Sequence, residues 1–294
     1  MTNTFLTIVA NQNFKYDESV NFLKNHFYLD IANSTVLSTN AISFEIRDFD
    51  DSKKTHMKKV FTQKKIDFCF LDKFKIPNKI FLCDMDSTII KNETLDDLVK
   101  MCGAEARVID ETSRLAMEGK IDIKSTLSSR VSLLKGKPKS MIEDVIKGIK
   151  YNQGSNTLIK TLNNNKFNTY LITGGFKPIS TYVGERLEFQ NIISNEFEFE
   201  NDKTFKGTYV PIAGEKNSKL EFMRKLSAEK DIEFKDFVAL GDGANDLGML
   251  QNSGLGIGYN SHKIIKDNIE TQINFTDLTS VLYFLQIKKE DFIR

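Results

Sequence analysis

The stretch Ile80-Phe81-Leu82-Cys83-Asp84-Met85-Asp86-Ser87-Thr88 decides how this chain folds. Four apolar residues make a run that fits a buried parallel strand, and the run stops at two aspartates. In open α/β sheets chemistry gathers at the carboxyl ends of strands, so a strand that stops in carboxylates predicts a site there. On an extended strand Asp84 and Asp86 would share a face. Where the strand ends, the backbone can turn them toward one centre from different angles. Carboxylates that close repel, and they need a cation between them or a proton on one.

Upstream, residues 1 to about 75 read as a small unit of their own. Phe5 to Val9 is a strand, and Asp17 to Phe27 has helical spacing through Val20, Leu23 and Phe27. Ser34–Leu37 and Ala41–Ile46 are strand-like, Ser52–Lys64 is a helix begun by Asp50-Asp51, and Ile66–Leu71 closes as a strand. The order βαββαβ predicts a ferredoxin-like α+β fold. Its topology resembles the amino-acid-binding ACT-type domains, with no ligand motif visible in it, so a structural, dimerising or sensing role stays open. Lys73 to Lys79, with Pro77, is the expected linker.

Downstream, helical patterns fill about residues 93–150 in four segments, near Glu93–Cys102, Ala104–Met117, Ile123–Leu134 and Pro138–Ile149. One crossover needs a single helix, so four predict a lid over the catalytic strand. The α/β rhythm then returns. Asn168–Ile172 is a strand ending in Thr173-Gly174-Gly175-Phe176, Phe197–Val210 reads as a hairpin, and a helix runs from about Asn217 to Ala228. Phe237–Leu240 is a strand ending in Gly241-Asp242-Gly243-Ala244-Asn245-Asp246, and Leu255–Tyr259 is another, with small helices filling the C-terminus. Strands alternating with helices predict a Rossmann-like, doubly wound parallel sheet in residues 76–294.

Composition narrows the class. A 294-residue chain has ample length for a full core, and a net charge of +1 gives no reason to expect nucleic acid or an anionic membrane as partner. The first residues lack the basic start and long apolar core of a signal peptide, and no apolar run approaches a membrane span. Cys69, Cys83 and Cys102 have no metal-ligand spacing and fit a reducing cytoplasm. His26, His56 and His262 are scattered and read as packing or surface residues.

Taken in order, Asp84/Asp86, Thr173-Gly174-Gly175, Lys216 and the acidic glycine turn at Asp242 resemble the motif set of the haloacid dehalogenase-like superfamily. A calcium loop is the rival for the last, but its alternating acidic ligands and terminal Glu are missing. The resemblance implies Asp84 as nucleophile, Asp86 as general acid and base, and a Mg²⁺ ion on Asp84, the Asp86 carbonyl and Asp242. Asp246 would support the ligands from behind. It implies that Thr173, Gly174 and Lys216 hold the phosphoryl oxygens, with Lys219 the rival for the lysine.

The finer resemblance is to phosphoserine phosphatases, carried by Asp84-Met85-Asp86-Ser87-Thr88, Asn92-Glu93-Thr94, Met117-Glu118-Gly119-Lys120, Arg130-Val131-Ser132-Leu133-Leu134 and Gly241 to Leu247. It covers about Ile80 to Asp267. By that resemblance Glu93 faces a substrate ammonium, Arg130 clamps a carboxylate bidentately, Met117 and Ile123 line the lid wall, and Asn245 helps hold the substrate. The implied reaction is Mg²⁺-dependent hydrolysis of O-phospho-L-serine. Thr173 stands where that family usually has serine, and Ile123 where it often has an aromatic residue, which leaves room for altered selectivity. Transfer of the phosphoryl group to another alcohol, such as homoserine, is the alternative within the family. An amino-acid sensor with secondary catalysis is the alternative outside it. A homodimer stays open.

Overall fold

The computed structural model describes residues 4–71, 79–212 and 218–294. The N-terminal segment runs β1 (Thr4–Ala10), α1 (Tyr16–Phe27), β2 (Ile31–Ser38), β3 (Ala41–Ile46), α2 (Lys54–Gln63) and β4 (Ile66–Leu71). Alternation decides its faces. Leu6, Ile8, Ile42, Phe44 and Ile46 point to one side, where they pack with Leu23, Phe27, Met57 and Phe61 of the helices. The strands are antiparallel in the order β2-β3-β1-β4. The expected linker and the boundary near residue 75 lie largely outside the described residues.

The N-terminal segment shares its sheet with the remainder of the chain. That remainder begins with β5 (Ile80–Cys83), after which come α3 (Thr94–Met101), α4 (Ala106–Met117), α5 (Ile123–Leu133) and α6 (Met141–Lys147). Next are α7 (Ser155–Asn164), β6 (Asn168–Phe176), α8 (Lys177–Arg186), β7 (Asn191–Glu200), β8 (Thr204–Val210), α9 (Ser218–Lys230) and β9 (Phe237–Gly241). The chain closes with α10 (Leu247–Asn252), β10 (Leu255–Tyr259), α11 (Lys263–Asn268), β11 (Thr271–Ile273) and α12 (Ser280–Phe284). One sheet holds all eleven strands, in the order β2-β3-β1-β4-β11-β10-β9-β5-β6-β7-β8.

The join between β4 and β11 is antiparallel at Phe68 and Gln272. Asp67 of β4 reinforces it by accepting the backbone N–H groups of Asn274 (2.8 Å), Phe275 (3.1 Å) and Thr276 (2.9 Å) and the Thr276 hydroxyl (2.6 Å). Val9, Leu37, Ala41 and Cys69 belong to the same apolar cluster as Tyr283 and Phe284 of α12.

From β11 to β7 the strands are parallel, and β5 lies between β9 and β6. Phe81 and Cys83 pack into one face's cluster, Ile80 and Leu82 into the other's, which is why β5 is apolar without alternation. Strand order reverses beside β5, so its carboxyl end opens onto a topological switch point. The expected hairpin is present, pairing Glu196–Glu200 with Thr204–Val210, and its first strand extends back to Asn191, where it pairs in parallel with β6. One expectation needs correction. The C-terminus holds the strand β11 as well as small helices, and at three residues that strand is too short to show a period.

Helices α3 to α6 stand between β5 and α7 on two adjacent connections. Ile90 and Tyr151 form an antiparallel bridge, and the Asn152 amide donates to the carbonyls of Thr88 (2.8 Å) and Ile90 (3.2 Å). At the far end the Ala244 N–H donates to the Met117 carbonyl at 2.9 Å, holding the end of α4 against the turn after β9. A Cβ on Gly243 would stand 2.6 Å from Met117 Sδ, so any other residue there would push the Met117 side chain aside.

Candidate active site

The end of β5 turns sharply. Three N–H groups, from Thr88, Ile89 and Ile90, converge on the Met85 carbonyl, and Ser87 takes a left-handed φ of 53°. The turn separates the two aspartates, sending each to a different set of partners. Asp84 Oδ1 accepts from the Met85 N–H at 2.7 Å and meets Lys219 Nζ at 2.6 Å. Asp86 instead reaches the start of α3, where the Thr94 hydroxyl (3.1 Å) and N–H (3.3 Å) donate to it.

The turn after β9 brings Asp242 and Asp246. Asp246 Oδ2 accepts from the N–H groups of Asp242 and Gly243, both at 3.2 Å, and its Oδ1 takes Lys219 at 2.6 Å. Asp242 Oδ1 accepts the Thr88 hydroxyl at 3.2 Å. Oxygens of Asp84, Asp242 and Asp246 lie within 4.8 Å of one another, all buried. Hard oxygens in this number suit a divalent cation such as Mg²⁺. Asp246 has both oxygens committed to the protein, which leaves Asp84 and Asp242 as the better side-chain donors.

Charge and burial act together here. Burial, then Asp246, push the Asp84 carboxyl up to about 7, against the pull of Lys219. Burial, then Asp84 and Asp246, raise Asp242 well above the usual carboxylate range. Asp86 is also raised well above it, by burial first, then Glu93, then Asp84; repulsion from Asp84 alone is not the main cause. Lys219 is pulled down by burial but raised on balance by Asp246 and Asp84, so it stays charged. A buried carboxylate group this dense with one lysine in it has the electrostatics of a cation site.

A cavity of about 560 Å³ opens beside these groups, lined by Asp84, Asp86, Thr173, Gly174, Lys219 and Asn245. Its other wall comes from α3, α4 and α5 and includes Glu93, Met117, Ile123 and Arg130. Every site residue expected from the sequence is therefore brought to one place, apart from Lys216, which lies outside the described residues. The lysine that touches Asp84 is Lys219, ranked second on the sequence. The Asn245 side-chain oxygen is buried and has no partner among the described residues.

Glu93 stands at the start of α3 but does not cap it; its Oε1 accepts the Ser87 hydroxyl at 2.5 Å. Burial pushes its carboxyl up to about 7. Arg130 is largely committed within the protein. Nη1 pairs with Asp96 at 3.2 Å, and Nη2 donates to the Ile109 carbonyl (3.0 Å) and the Thr112 hydroxyl (2.8 Å). Asp96 in turn accepts from Ser113. In this arrangement Arg130 does not have both Nη groups free for a bidentate clamp. Asp96 was legible in principle, since it lies three residues after Glu93 on the same helix face. His262, expected as a packing or surface residue, lies 3.8 Å from Asp242 Oδ2, with burial lowering its pKa.

Comparison with known proteins agrees with this geometry. The model of a family described as haloacid dehalogenase-like hydrolase matches residues 81–251. The chain is 32% identical to the phosphoserine phosphatase of Methanocaldococcus jannaschii over 208 residues, 71% of this chain and 98% of that protein. A solved substrate-bound phosphoserine phosphatase complex is 31% identical, with a TM-score of 0.66 over 71% of this chain and 98% of its own. A HAD-family hydrolase from Salmonella enterica serovar Typhi has a TM-score of 0.83 at 24% identity, covering 99% of this chain and 100% of that one. That last likeness concerns the fold alone, and it takes in the N-terminal segment.

Proposed function

This chain belongs to the haloacid dehalogenase-like hydrolases, and on that premise we propose that it is a Mg²⁺-dependent phosphatase that hydrolyses O-phospho-L-serine to L-serine and phosphate. The observation that carries the substrate is the pair of unlike charges, Glu93 and Arg130, on the cavity wall facing Asp84 and Asp86. An acidic group suits an ammonium and a guanidinium suits a carboxylate, which together describe an amino acid. The reaction would be the last step of a phosphorylated route to serine, in the cytoplasm. Among the described residues no helix is long and apolar enough to cross a membrane.

In this reading the Asp84 carboxylate attacks phosphorus as the bond to the serine oxygen breaks, giving an aspartyl-phosphate. Asp86, held protonated by its buried surroundings, gives its proton to the leaving oxygen. The resulting Asp86 carboxylate then takes a proton from water, which attacks the same phosphorus and restores Asp84. Thr173, Gly174 and Lys219 hold the phosphoryl oxygens and balance their charge. Asp84, Asp242 and the Asp86 carbonyl would hold Mg²⁺, which supplies positive charge against the phosphoryl oxygens when bound.

Residues 1–75 form the ferredoxin-like, ACT-like domain in this proposal, and residues 76–294 the phosphatase domain, with 93–150 as its cap. Thr94 links the two jobs of the cap's first turn, since it binds Asp86 directly after the residue that reads the ammonium. The test is phosphate release with Mg²⁺ from L-phosphoserine, phosphothreonine, a sugar phosphate and an aryl phosphate. Strong preference for phosphoserine, abolished in Asp84→Asn, is the expected result. Equal activity across the panel discards the substrate and keeps the nucleophile.

A further inference from the structure

Strand β6 leaves its ladder at the point where the phosphate-binding turn is expected. Its register with β7 pairs Ile172 with Ile193 and next Phe176 with Asn195, so β6 advances by more residues than β7 over the same span. Thr173-Gly174-Gly175 stand against Ser194 alone, a surplus of two residues, and this stretch bulges from the sheet and lines the cavity. A bulge takes backbone groups away from their ladder partners, and a buried carbonyl needs another donor.

Asn195 supplies it. Its Nδ2 donates to the Gly174 carbonyl at 2.6 Å, and its Oδ1 accepts the Ile212 N–H at 3.0 Å. The side chain is 5% exposed. Because one end must donate and the other accept, the amide has a single orientation that satisfies both. The Gly174 carbonyl and the Gly175 N–H belong to one planar peptide. That N–H donates to Thr173 Oγ1 at 2.8 Å. Fixing the carbonyl therefore fixes the N–H and, through it, the lone pair that the Thr173 hydroxyl uses. The hydroxyl proton is left to point elsewhere, and the cavity lies beside it.

We propose that Asn195 is a positioning residue for the phosphate subsite, acting through the Gly174–Gly175 peptide to aim the Thr173 hydroxyl at a phosphoryl oxygen. The inference rests on the reading of Thr173 and Gly174 as phosphate holders, and it gives Asn195, which lines the cavity beside them, a role exerted through the backbone. It also ties this turn to Ile212, ahead of the helix that carries Lys219.

The test uses the full chain with Mg²⁺ and aryl phosphate hydrolysis, measuring inhibition constants for inorganic phosphate and for L-serine. Asn195→Ala and Asn195→Asp should each raise the phosphate constant about tenfold, the worth of one well-placed hydrogen bond, and leave the L-serine constant unchanged. An inhibition constant does not depend on the folded fraction, so a merely structural role would not move it. Asn195→Asp at alkaline pH keeps the acceptor for Ile212 and loses the donor to Gly174, which maintains the test should the alanine variant not fold. An unchanged phosphate constant, or both constants rising together, overturns the proposal. Should L-serine fail to inhibit the wild type, the substrate reading falls, while the phosphate constants still decide on Asn195.

Discussion

Lys219 places its ammonium 2.6 Å from a carboxylate oxygen of Asp84, and both side chains are buried. The same ammonium meets Asp246 at 2.6 Å. Removing it leaves two carboxylates sealed in the protein without their partner. Breaking such a pair costs about 3–5 kcal/mol of stability. Lys219→Met should therefore lower the melting temperature and, where the protein still folds, lower kcat by about 10²–10³-fold, the usual loss for one charge-stabilising donor. Lys216→Ala should do much less. A reversed ranking of the two variants in steady-state kinetics would return the phosphoryl contact to Lys216.

The lysine shows where sequence reading stops. Motif order points to a lysine between Thr173 and Asp242, and both Lys216 and Lys219 satisfy it. What brings out Lys219 is burial at the start of α9, where it is followed by Leu220, Met223 and Leu226, all buried. The apolar run of β5 and the acidic turn after β9 were legible because strand ends carry local signatures. Asn195 was not, since its partners lie across the fold and depend on a bulge; spacing puts Asp96 on the face of Glu93, but its pairing with Arg130 depends on helix packing. The continuous sheet was also hidden: the antiparallel join of β4 to a three-residue strand has no period to read.

The metal-free protein should lose stability as pH rises. Carboxyls raised toward 7, as at Asp84 and Glu93, bind protons in the folded state that the unfolded chain has released. Their contribution is full below the unfolded carboxylate pKa of about 4 and is lost as pH rises through about 7. A divalent cation competes with those protons, so the shift in melting temperature on adding Mg²⁺ should be small near about pH 5.5 and large near about pH 8. A shift that is equal at both would separate the ion from these carboxyls.

Glu93 gives a second pH signature. Its carboxyl, at about 7 in the unliganded site, must ionise to meet an ammonium. Relative to an aryl phosphate, kcat/KM for phosphoserine should climb as pH rises through about 7. Glu93→Gln should flatten that ratio and lower it about ten- to a hundredfold, the worth of a charged hydrogen bond. Using the ratio cancels the ionisation of Asp84, which both substrates need in the proposed mechanism.

Arg130→Ala should weaken kcat/KM for phosphoserine by about ten- to a hundredfold, and O-phosphoethanolamine, which lacks the carboxylate, much less. The variant also leaves Asp96 without its 3.2 Å partner. Pairing the change with Asp96→Asn removes the orphaned charge, so a selective loss that persists in the double variant belongs to substrate reading. Equal loss on both esters would assign Arg130 to the packing of α3, α4 and α5.

Asp67 tests whether the N-terminal segment is an independent unit. Its carboxylate accepts three backbone N–H groups and a hydroxyl from residues 274–276, and burial raises its pKa despite those bonds. Asp67→Ala leaves those donors to water that can only partly reach them, at a cost of about 2–4 kcal/mol. None of these groups lines the catalytic cavity, so kcat below the melting transition should stay unchanged. The wild type, with one continuous sheet and an apolar cluster shared across the join, should melt in a single calorimetric transition. Asp67→Ala should lower that transition as a whole. Two separated transitions in the wild type would mean that β1–β4 unfold on their own and that the join is too weak to couple them.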